Sequence, residues 1–147
     1  MNVLALWGKG SHGKTQTLNL LAIEFGEICN DIKKDTHYAF TYKNKTIFIT
    51  TKGDDGETLK EEFKESSYNA DLYICASRTK GSSVKFMENF ATNGNVFWLA
   101  KISLSFEENG KYNMNSQLLE QLQNDLNITQ AKQMKQIIDQ LISRGNI

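Results

Sequence analysis

The chain has 147 residues, enough for one domain with a single core and too few for two, so one domain over 1–147 is expected. Its 17 basic and 17 acidic residues cancel, and no stretch approaches the roughly eighteen apolar residues of a membrane-spanning helix. The composition gives no support for nucleic-acid binding and favours a cytoplasmic protein without a membrane span.

The first predicted strand, over residues 3–7, runs directly into a glycine-rich loop. Residues 8–15 read Gly-Lys-Gly-Ser-His-Gly-Lys-Thr, a full match to Gly-x-x-x-x-Gly-Lys-Thr, and apolar residues at helical spacing predict a helix over 14–28. This motif binds phosphate when it connects a buried strand to a helix N-terminus, and both flanks occur here. The glycines allow successive N–H groups to face one anion, and the helix adds the positive end of its dipole.

The loop therefore predicts a site for a nucleoside triphosphate and Mg²⁺, the alternative being an ordinary strand-to-helix turn. Lys14 is expected to reach the β- and γ-phosphates, and the hydroxyl of Thr15 is expected to coordinate the metal. The predicted nucleotide-binding residues are Gly8, Lys9, Gly10, Ser11, His12, Gly13, Lys14, Thr15 and Gln16.

Two β-rich runs follow, over 37–42 and 46–51, and the three polar residues between them predict a hairpin. The first run is expected to be an antiparallel edge strand and the second an interior strand. A turn over 52–56 then leads to a short amphipathic helix marked by Leu59 and Phe63.

Strands and helices continue to alternate in the rest of the chain. The predicted elements are a strand over 72–76, a helix with Val84, Met87 and Phe90 on one face, a strand that begins at 96 and ends at 100 or 106, and helices over 116–126 and 129–143. This order predicts a three-layer α/β fold of about five mostly parallel strands with one antiparallel edge hairpin and helices on both faces. Cys29 and Cys75 are expected to be reduced thiols in its core.

Ligands of such sheets bind beyond the carboxyl ends of the strands. Residues 8–15, 50–55 and 77–82 are therefore expected to converge on one face. A triphosphatase needs an acid there for its metal, yet no predicted strand ends in Asp. Asp54 and Asp55 are the best substitutes as metal ligands. The alternative is structural, because Asp54 followed by Glu57 also matches a helix N-cap with a capping box.

Arg78 is a further candidate for the site because it follows a predicted strand and is one of only two arginines in the chain. A guanidinium can bind phosphate through two parallel hydrogen bonds, which a lysine cannot do. The alternative is a surface salt bridge to Glu57 or Glu88. The catalytic residues predicted from the chain itself are Lys14, Asp54 and Arg78.

The loop resembles that of the P-loop NTPase superfamily, which implies a P-loop NTPase-like fold. Lys9 and Gly10 look like the deviant Walker A motif of the ParA/MinD group of partition and placement ATPases, in which a lysine near the start of the loop reaches the nucleotide across a dimer. The pattern maps onto Lys9, Gly10, Ser11, Lys14 and Thr15, with Ser11 in place of the second glycine. The resemblance implies a catalytic role for Lys9 and a nucleotide-dependent homodimer.

The layout after the loop also looks like that of a small GTPase, in which the hairpin ends in Asp-x-x-Gly. In this chain Gly53 takes the place of the glycine and Thr50 that of the aspartate, so the acid that contacts the metal is missing. The guanine signature Asn-Lys-x-Asp is missing as well, because the fifth strand runs into Lys101-Ile102-Ser103. ATP is therefore expected rather than GTP.

Three functions follow from these residues. The first is a small ATP-binding protein that hydrolyses ATP with Mg²⁺ and acts as a nucleotide-controlled switch toward a second copy or a protein partner. The second is a kinase that transfers the γ-phosphoryl group to a small metabolite. The third is a nucleotide-binding module without turnover, for which the missing strand-end aspartate argues.

Overall fold

The computed structural model describes residues 1–9, 13–65, 69–91, 94–104, 107–108, 111–112 and 117–147. Strands and helices alternate along most of this length. In chain order they are β1 (Asn2–Trp7), α1 (Lys14–Glu24), β2 (His37–Tyr42), β3 (Lys45–Thr50), α2 (Gly56–Glu65), β4 (Leu72–Ser77), α3 (Ser82–Phe90), β5 (Val96–Ala100), β6 (Glu107–Glu108), β7 (Lys111–Tyr112) and α4 (Gln117–Ser143).

Five strands form one sheet in the order β2-β3-β4-β1-β5. Strands β3, β4, β1 and β5 are parallel, and β2 pairs antiparallel with β3. The hairpin turn consists of Lys43 and Asn44, which both have positive φ (49° and 62°), as tight two-residue hairpins require. The predicted α/β class, the mostly parallel sheet and the antiparallel edge strand β2 are confirmed.

Strand β4 lies between β1 and β3. Neighbouring strands are about 4.8 Å apart, so the ends of β1 and β3 are separated by two such spacings, about 10 Å. A side chain from the end of β3 must cross this gap to reach a ligand at the end of β1. The strand order therefore decides which residues can meet at the phosphate loop.

The core consists of two apolar clusters, because alternate side chains of a strand point to opposite faces of the sheet. Leu4 and Leu6 of β1 pack in one cluster with α1 and α4. Val3 and Ala5 of the same strand pack in the other with α2 and α3. The buried Cys75 belongs to the second cluster, and burial raises the pKa of its thiol to about 12, which keeps it protonated at neutral pH.

The first helix ends earlier than predicted, at Glu24 rather than Ile28. Gly26 has a φ of 92°, and its N–H donates to the carbonyl of Ile23, which is the left-handed glycine arrangement that ends helices. Cys29 therefore lies beyond the helix. It is a free thiol, but it is only partly buried.

The two predicted C-terminal helices are one helix, α4, of 27 residues. A break was expected near Asn127, yet Asn127 is buried in the helix and its amide bonds to side chains of two other residues, Gln16 and Gln123. These bonds compensate for the weak helix preference of asparagine. None of the helices in the described part of the chain combines the length and apolar character that crossing a membrane requires.

The fifth strand ends at Ala100, the shorter of the two predicted bounds. The N–H groups of Ile102 and Leu104 donate to the side-chain amides of Gln130 and Gln123 instead of to a neighbouring strand. Side chains of α4 thus accept the backbone hydrogen bonds of this segment. The pattern of apolar residues does not indicate these bonds.

Candidate phosphate-binding site

A cavity of about 650 Å³ opens where the carboxyl ends of β1, β3 and β4 meet the first turn of α1. The residues that line it come from the start of α1 and the glycine before it, from the loop before β2, from the segment between β3 and the first turn of α2, and from the end of β4 and the residue after it. They are Gly13, Lys14, Thr15, Gln16, Lys33, Asp35, Thr51, Lys52, Gly53, Asp54, Asp55, Thr58, Ala76 and Arg78. The structure thus brings four residues of the predicted loop site together with Asp54, Asp55 and Arg78.

Lys14, the first residue of α1, directs its ammonium group toward Gly8 and Lys9 at the start of the loop. Its Nζ donates to the carbonyls of Gly8 at 2.7 Å and Lys9 at 3.2 Å, and the residue is only 7% exposed. Burial lowers the pKa of Lys14; Asp54 partly offsets this effect, and Arg78 adds to it. A buried cation whose hydrogen-bond partners are neutral carbonyls gains strongly from an anion placed beside it.

Gly13 starts the helix in a conformation that favours glycine, with a φ of 82°. A Cβ at this position would lie 2.8 Å from Nδ2 of Asn127, and the same nitrogen donates to Oε1 of Gln16 at 3.0 Å. The left-handed backbone and the contact with α4 both require glycine here. Gln16, which lines the cavity, is therefore held by α4.

The first two residues of the loop differ in their contacts. Gly8 contributes its carbonyl to Lys14, and Lys9 is exposed and lies outside the described residues that line the cavity. Gly10, Ser11 and His12, all predicted to bind the nucleotide, lie outside the described residues.

Lys101 supports the start of the loop from the end of β5. Its N–H donates to the carbonyl of Trp7 at 2.8 Å, and its ammonium group donates to the carbonyl of Ile102. The Cβ of Lys101 lies 3.2 Å from where a Cβ on Gly8 would be. Burial lowers the pKa of Lys101 to about 8, because the charged ammonium group loses part of its hydration in the folded protein.

Asp35, which was not predicted from the sequence, links the loop to the end of β3. Its Oδ1 accepts hydrogen bonds from the hydroxyls of Thr15 at 3.2 Å and Thr51 at 3.0 Å. The hairpin brings Asp35 there, because the N–H of Thr51 donates to the carbonyl of Thr36 at 3.0 Å, next to the His37–Thr50 pair of the β2–β3 ladder. Continued past the His37–Thr50 pair, the register sets Thr36 opposite Thr51 and Asp35 opposite Lys52, which places Asp35 beside the end of β3.

A second carboxylate, that of Glu62 in α2, lies at the end of β3. Its Oε2 accepts from Thr50 Oγ1 at 2.9 Å and lies 3.2 Å from Nδ1 of His37, and its Oε1 accepts from Lys52 Nζ at 2.8 Å. Burial alone would raise the pKa of Glu62, but the hydrogen bonds from Lys52 and Thr50 outweigh burial and hold the pKa below its usual range. At the end of β3, the consecutive residues Thr50 and Thr51 thus donate to two carboxylates that come from other segments. Thr50 donates to Glu62 and Thr51 to Asp35.

Asp55, and not Asp54, is the N-cap of α2. Its Oδ1 accepts from the N–H of Thr58 at 2.8 Å, and its Oδ2 accepts from the Thr58 hydroxyl at 3.1 Å. These two hydrogen bonds hold the pKa of Asp55 below its usual range. The predicted capping box of Asp54 with Glu57 is therefore wrong by one residue, because the helix begins one residue later than that pattern requires.

Arg78 forms an ion pair with Asp54 over 3.5 Å, between Nε and Oδ1. Both side chains are more than half exposed, at 54% and 70%. The pair replaces the salt bridges to Glu57 or Glu88 that were the predicted alternative. Exposed pairs of this kind contribute little to stability, so Arg78 can exchange Asp54 for another anion at small cost.

Two glycines hold the segment after β3 against the end of β4 and the start of α3. A Cβ on Gly53 would lie 1.7 Å from the carbonyl oxygen of Ala76, and one on Gly56 would lie 2.7 Å from that of Ser82. The N–H of Gly56 also donates to Oγ of Ser82 at 3.0 Å. The close contact packs the segment that carries Asp54 against the end of β4, directly before Arg78.

Thr15 and Asp35 are hydrogen-bonded to each other in the cavity lining and could together supply oxygen ligands to a metal ion. Within the described residues no group of three or more His, Cys, Asp or Glu side chains could bind a metal by itself. Mg²⁺ does not need such a group, because it is commonly held by one or two protein oxygens together with phosphate and water oxygens. The oxygens of Thr15 and Asp35 fit that requirement.

Comparison of the chain with protein-family models, with curated proteins and with solved structures gave no match.

Proposed function

We propose that the chain is a P-loop NTPase with a three-layer fold that binds ATP and Mg²⁺ in this cavity, hydrolyses ATP, and acts as a nucleotide-controlled switch. The observation that carries the proposal is the position of Lys14. Its ammonium group donates to the carbonyls of Gly8 and Lys9, between the carboxyl end of β1 and the N-terminus of α1. Strand, loop, lysine and helix stand in the order that phosphate binding by this motif requires.

The first turn of α1 favours an anion at the cavity. It reads Lys14-Thr15-Gln16-Thr17, so its side chains are cationic or neutral and add to the positive end of the helix dipole. The N–H groups of this turn and the Lys14 ammonium would bind the β- and γ-phosphates.

Asp35 is a better candidate for the metal site than Asp54 or Asp55. Both oxygens of Asp55 are occupied by the helix cap, and Asp54 pairs with Arg78, whereas Asp35 is hydrogen-bonded to Thr15 itself. A bound Mg²⁺ would supply charge neutralisation at the β- and γ-phosphates. The chain's part is to hold Thr15 and Asp35 on either side of that position.

Arg78 and Asp54 are proposed to act on the terminal phosphate. In hydrolysis, water forms a bond to the γ-phosphorus, the bond to the bridging oxygen breaks, and ADP and inorganic phosphate are released. Arg78 would pair with the γ-phosphate as charge moves onto the phosphate oxygens, and Asp54, which lines the same cavity, would orient the water. ATP is proposed rather than GTP because no guanine signature follows β5.

The test is a pair of measurements on the wild type and on Lys14→Met. Calorimetry with Mg²⁺ and ATP should give saturable binding that Lys14→Met loses, and phosphate should be released without any added acceptor. Lys132→Met, an exposed lysine of α4, serves as the control and should behave like the wild type. Wild-type protein that binds no nucleotide overturns the proposal; binding without phosphate release leaves a kinase or a non-hydrolysing module.

A further inference from the structure

The wall of the cavity that faces away from the loop carries a second positioned lysine. Lys52 follows β3 and lines the cavity, and its Nζ lies 2.8 Å from Oε1 of Glu62. The side chain of Lys52 is 40% exposed, but that of Glu62 is only 5% exposed. The pair therefore joins a buried carboxylate to a lysine whose side chain is partly exposed and lines the cavity.

Glu62 is held from three directions. Thr50 at the end of β3 donates to it, His37 of β2 lies beside it, and Lys52 binds its other oxygen. The hydroxyl of Thr50 also accepts a hydrogen bond from the N–H of Lys52 at 3.2 Å. The backbone of Lys52 is thus bonded to Thr50 and its side chain to Glu62, and Thr50 and Glu62 are bonded to each other. A lysine with these restraints loses less freedom on binding an anion than a lysine on the surface does.

The strand order places Lys52 across the cavity from Lys14. Lys14 belongs to the helix after β1, whereas Lys52 follows β3, two strand spacings away, which is about 10 Å. Thr15, Asp35 and Thr51 form a continuous set of hydrogen bonds across that distance. A triphosphate whose β- and γ-phosphates lie at Lys14 would have its terminal group between the two lysines, within reach of the long side chain of Lys52.

We propose that Lys52, positioned by Glu62, binds the terminal phosphate of a nucleoside triphosphate and thereby distinguishes it from a diphosphate. The inference rests on the proposed function of the cavity. An ammonium group carries three N–H donors, so Lys52 can bind a phosphate oxygen while it keeps its bond to Glu62. Lys52 is then a binding residue, and Glu62 is a positioning residue that acts through it.

The experiment compares the affinities of Mg·ADP and of Mg²⁺ with a non-hydrolysable ATP analogue, measured by calorimetry. Lys52→Met keeps the unbranched stem and removes the charge. It should weaken binding of the analogue by roughly tenfold, which corresponds to about 1.4 kcal/mol, and change ADP binding less than twofold. Lys60→Met, on the exposed side of α2 and outside the described cavity lining, is the matched control and should change neither.

Glu62→Gln tests the positioning role, since it removes the charge and keeps the shape. In the wild-type background it should lower the ratio of analogue to ADP affinity, and in the Lys52→Met background it should leave that ratio unchanged, because the two residues act as a unit. A ratio that falls equally in both backgrounds removes Glu62 from the proposal.

The outcomes separate this inference from the proposed function. If the wild type binds ADP and the analogue but Lys52→Met leaves their ratio unchanged, the inference is overturned and the proposed function stands. If the wild type binds neither ligand, the proposed function fails and the inference fails with it. A poorly folded Glu62→Gln variant does not affect the decision, which Lys52→Met alone can make.

Discussion

The hydroxyl of Thr15 donates a hydrogen bond to Asp35 over 3.2 Å, although 20 residues separate them in the sequence. The same carboxylate oxygen accepts from Thr51, so Asp35 connects the helix after β1 with the end of β3. The connection is needed because β4 lies between those two strands. A short side chain at the end of β3 could not reach Thr15 from there. Asp35, which lies in the loop before β2, contacts both Thr15 and Thr51 and so bridges the distance.

Replacing Asp35 with Asn should lower Mg²⁺-dependent phosphate release by at least roughly tenfold, because the amide oxygen is a poorer ligand for a hard cation than a carboxylate. The melting temperature should change little, since the amide oxygen still accepts from Thr15 and Thr51. Phosphate release and thermal melting measure the two effects. Asp31→Asn, an exposed acid of the same loop whose turn role an amide can keep, is the control. Unchanged turnover in Asp35→Asn would move the metal site elsewhere.

Asp55→Ala should lower the melting temperature by a few degrees, whereas Asp55→Asn should keep it, because asparagine also caps helices well. Both oxygens of Asp55 serve Thr58, so turnover should be the same in Asp55→Asn as in the wild type. Asp54→Asn is the matched comparison, and it should leave the melting temperature unchanged. Loss of turnover in Asp55→Asn at normal stability contradicts a purely structural Asp55.

The fold was largely accessible from the sequence because it depends on patterns that act over a few residues. Alternating or continuous apolar runs specify the strands, and two β-rich runs with a short polar link specify the hairpin. The break expected within α4 was wrong because a distant side chain decides the outcome there. The side-chain amide of Asn127 donates a hydrogen bond to Gln16, 111 positions away, and this bond stabilises Asn127 within α4. The local helix preference of the residues around Asn127 does not indicate such a bond.

The candidate site was predicted less fully than the fold. The loop motif identifies Lys14 and Thr15 directly, since every role in it is tied to a fixed spacing. Asp35 and Glu62 belong to no such spacing; they reach the end of β3 only through the hairpin register and the packing of α2. Asp54 and Asp55 were chosen for closeness in sequence, and closeness in space favours Asp35.

Lys101 predicts how stability depends on pH in the alkaline range. The amine loses its proton near pH 8 in the folded chain but keeps it to about 10.5 when unfolded. The unfolded state therefore binds more protons between these values, and stability gains from Lys101 as the pH rises through that window. The melting temperature of Lys101→Met should exceed that of the wild type most at neutral pH, with the difference shrinking toward pH 10. Parallel melting curves of the two proteins against pH would show that Lys101 is not desolvated.

Lys9 predicts a nucleotide-dependent change in oligomeric state. Its side chain is exposed and outside the described cavity lining, so within one chain it lies where a neighbouring copy could approach. A triphosphate concentrates negative charge at the loop, and a lysine from a facing subunit would be held there only while the γ-phosphate remains. In sedimentation, the wild type should be mainly monomeric alone and dimeric with Mg²⁺ and a non-hydrolysable ATP analogue.

Lys9→Ala should then lose dimerisation and turnover but keep nucleotide binding as a monomer, whereas Lys14→Met should lose all three. The contrast arises because Lys14 is buried under its own loop and Lys9 is exposed. Calorimetry measures the nucleotide affinity of each variant, so that its oligomeric state and turnover are compared at known nucleotide occupancy. If nucleotide-saturated wild type is a single monomeric species, Lys9 does not act across a dimer. The cavity would then have to function within one chain. Arg78 would be the cation that contacts the γ-phosphate in place of Lys9.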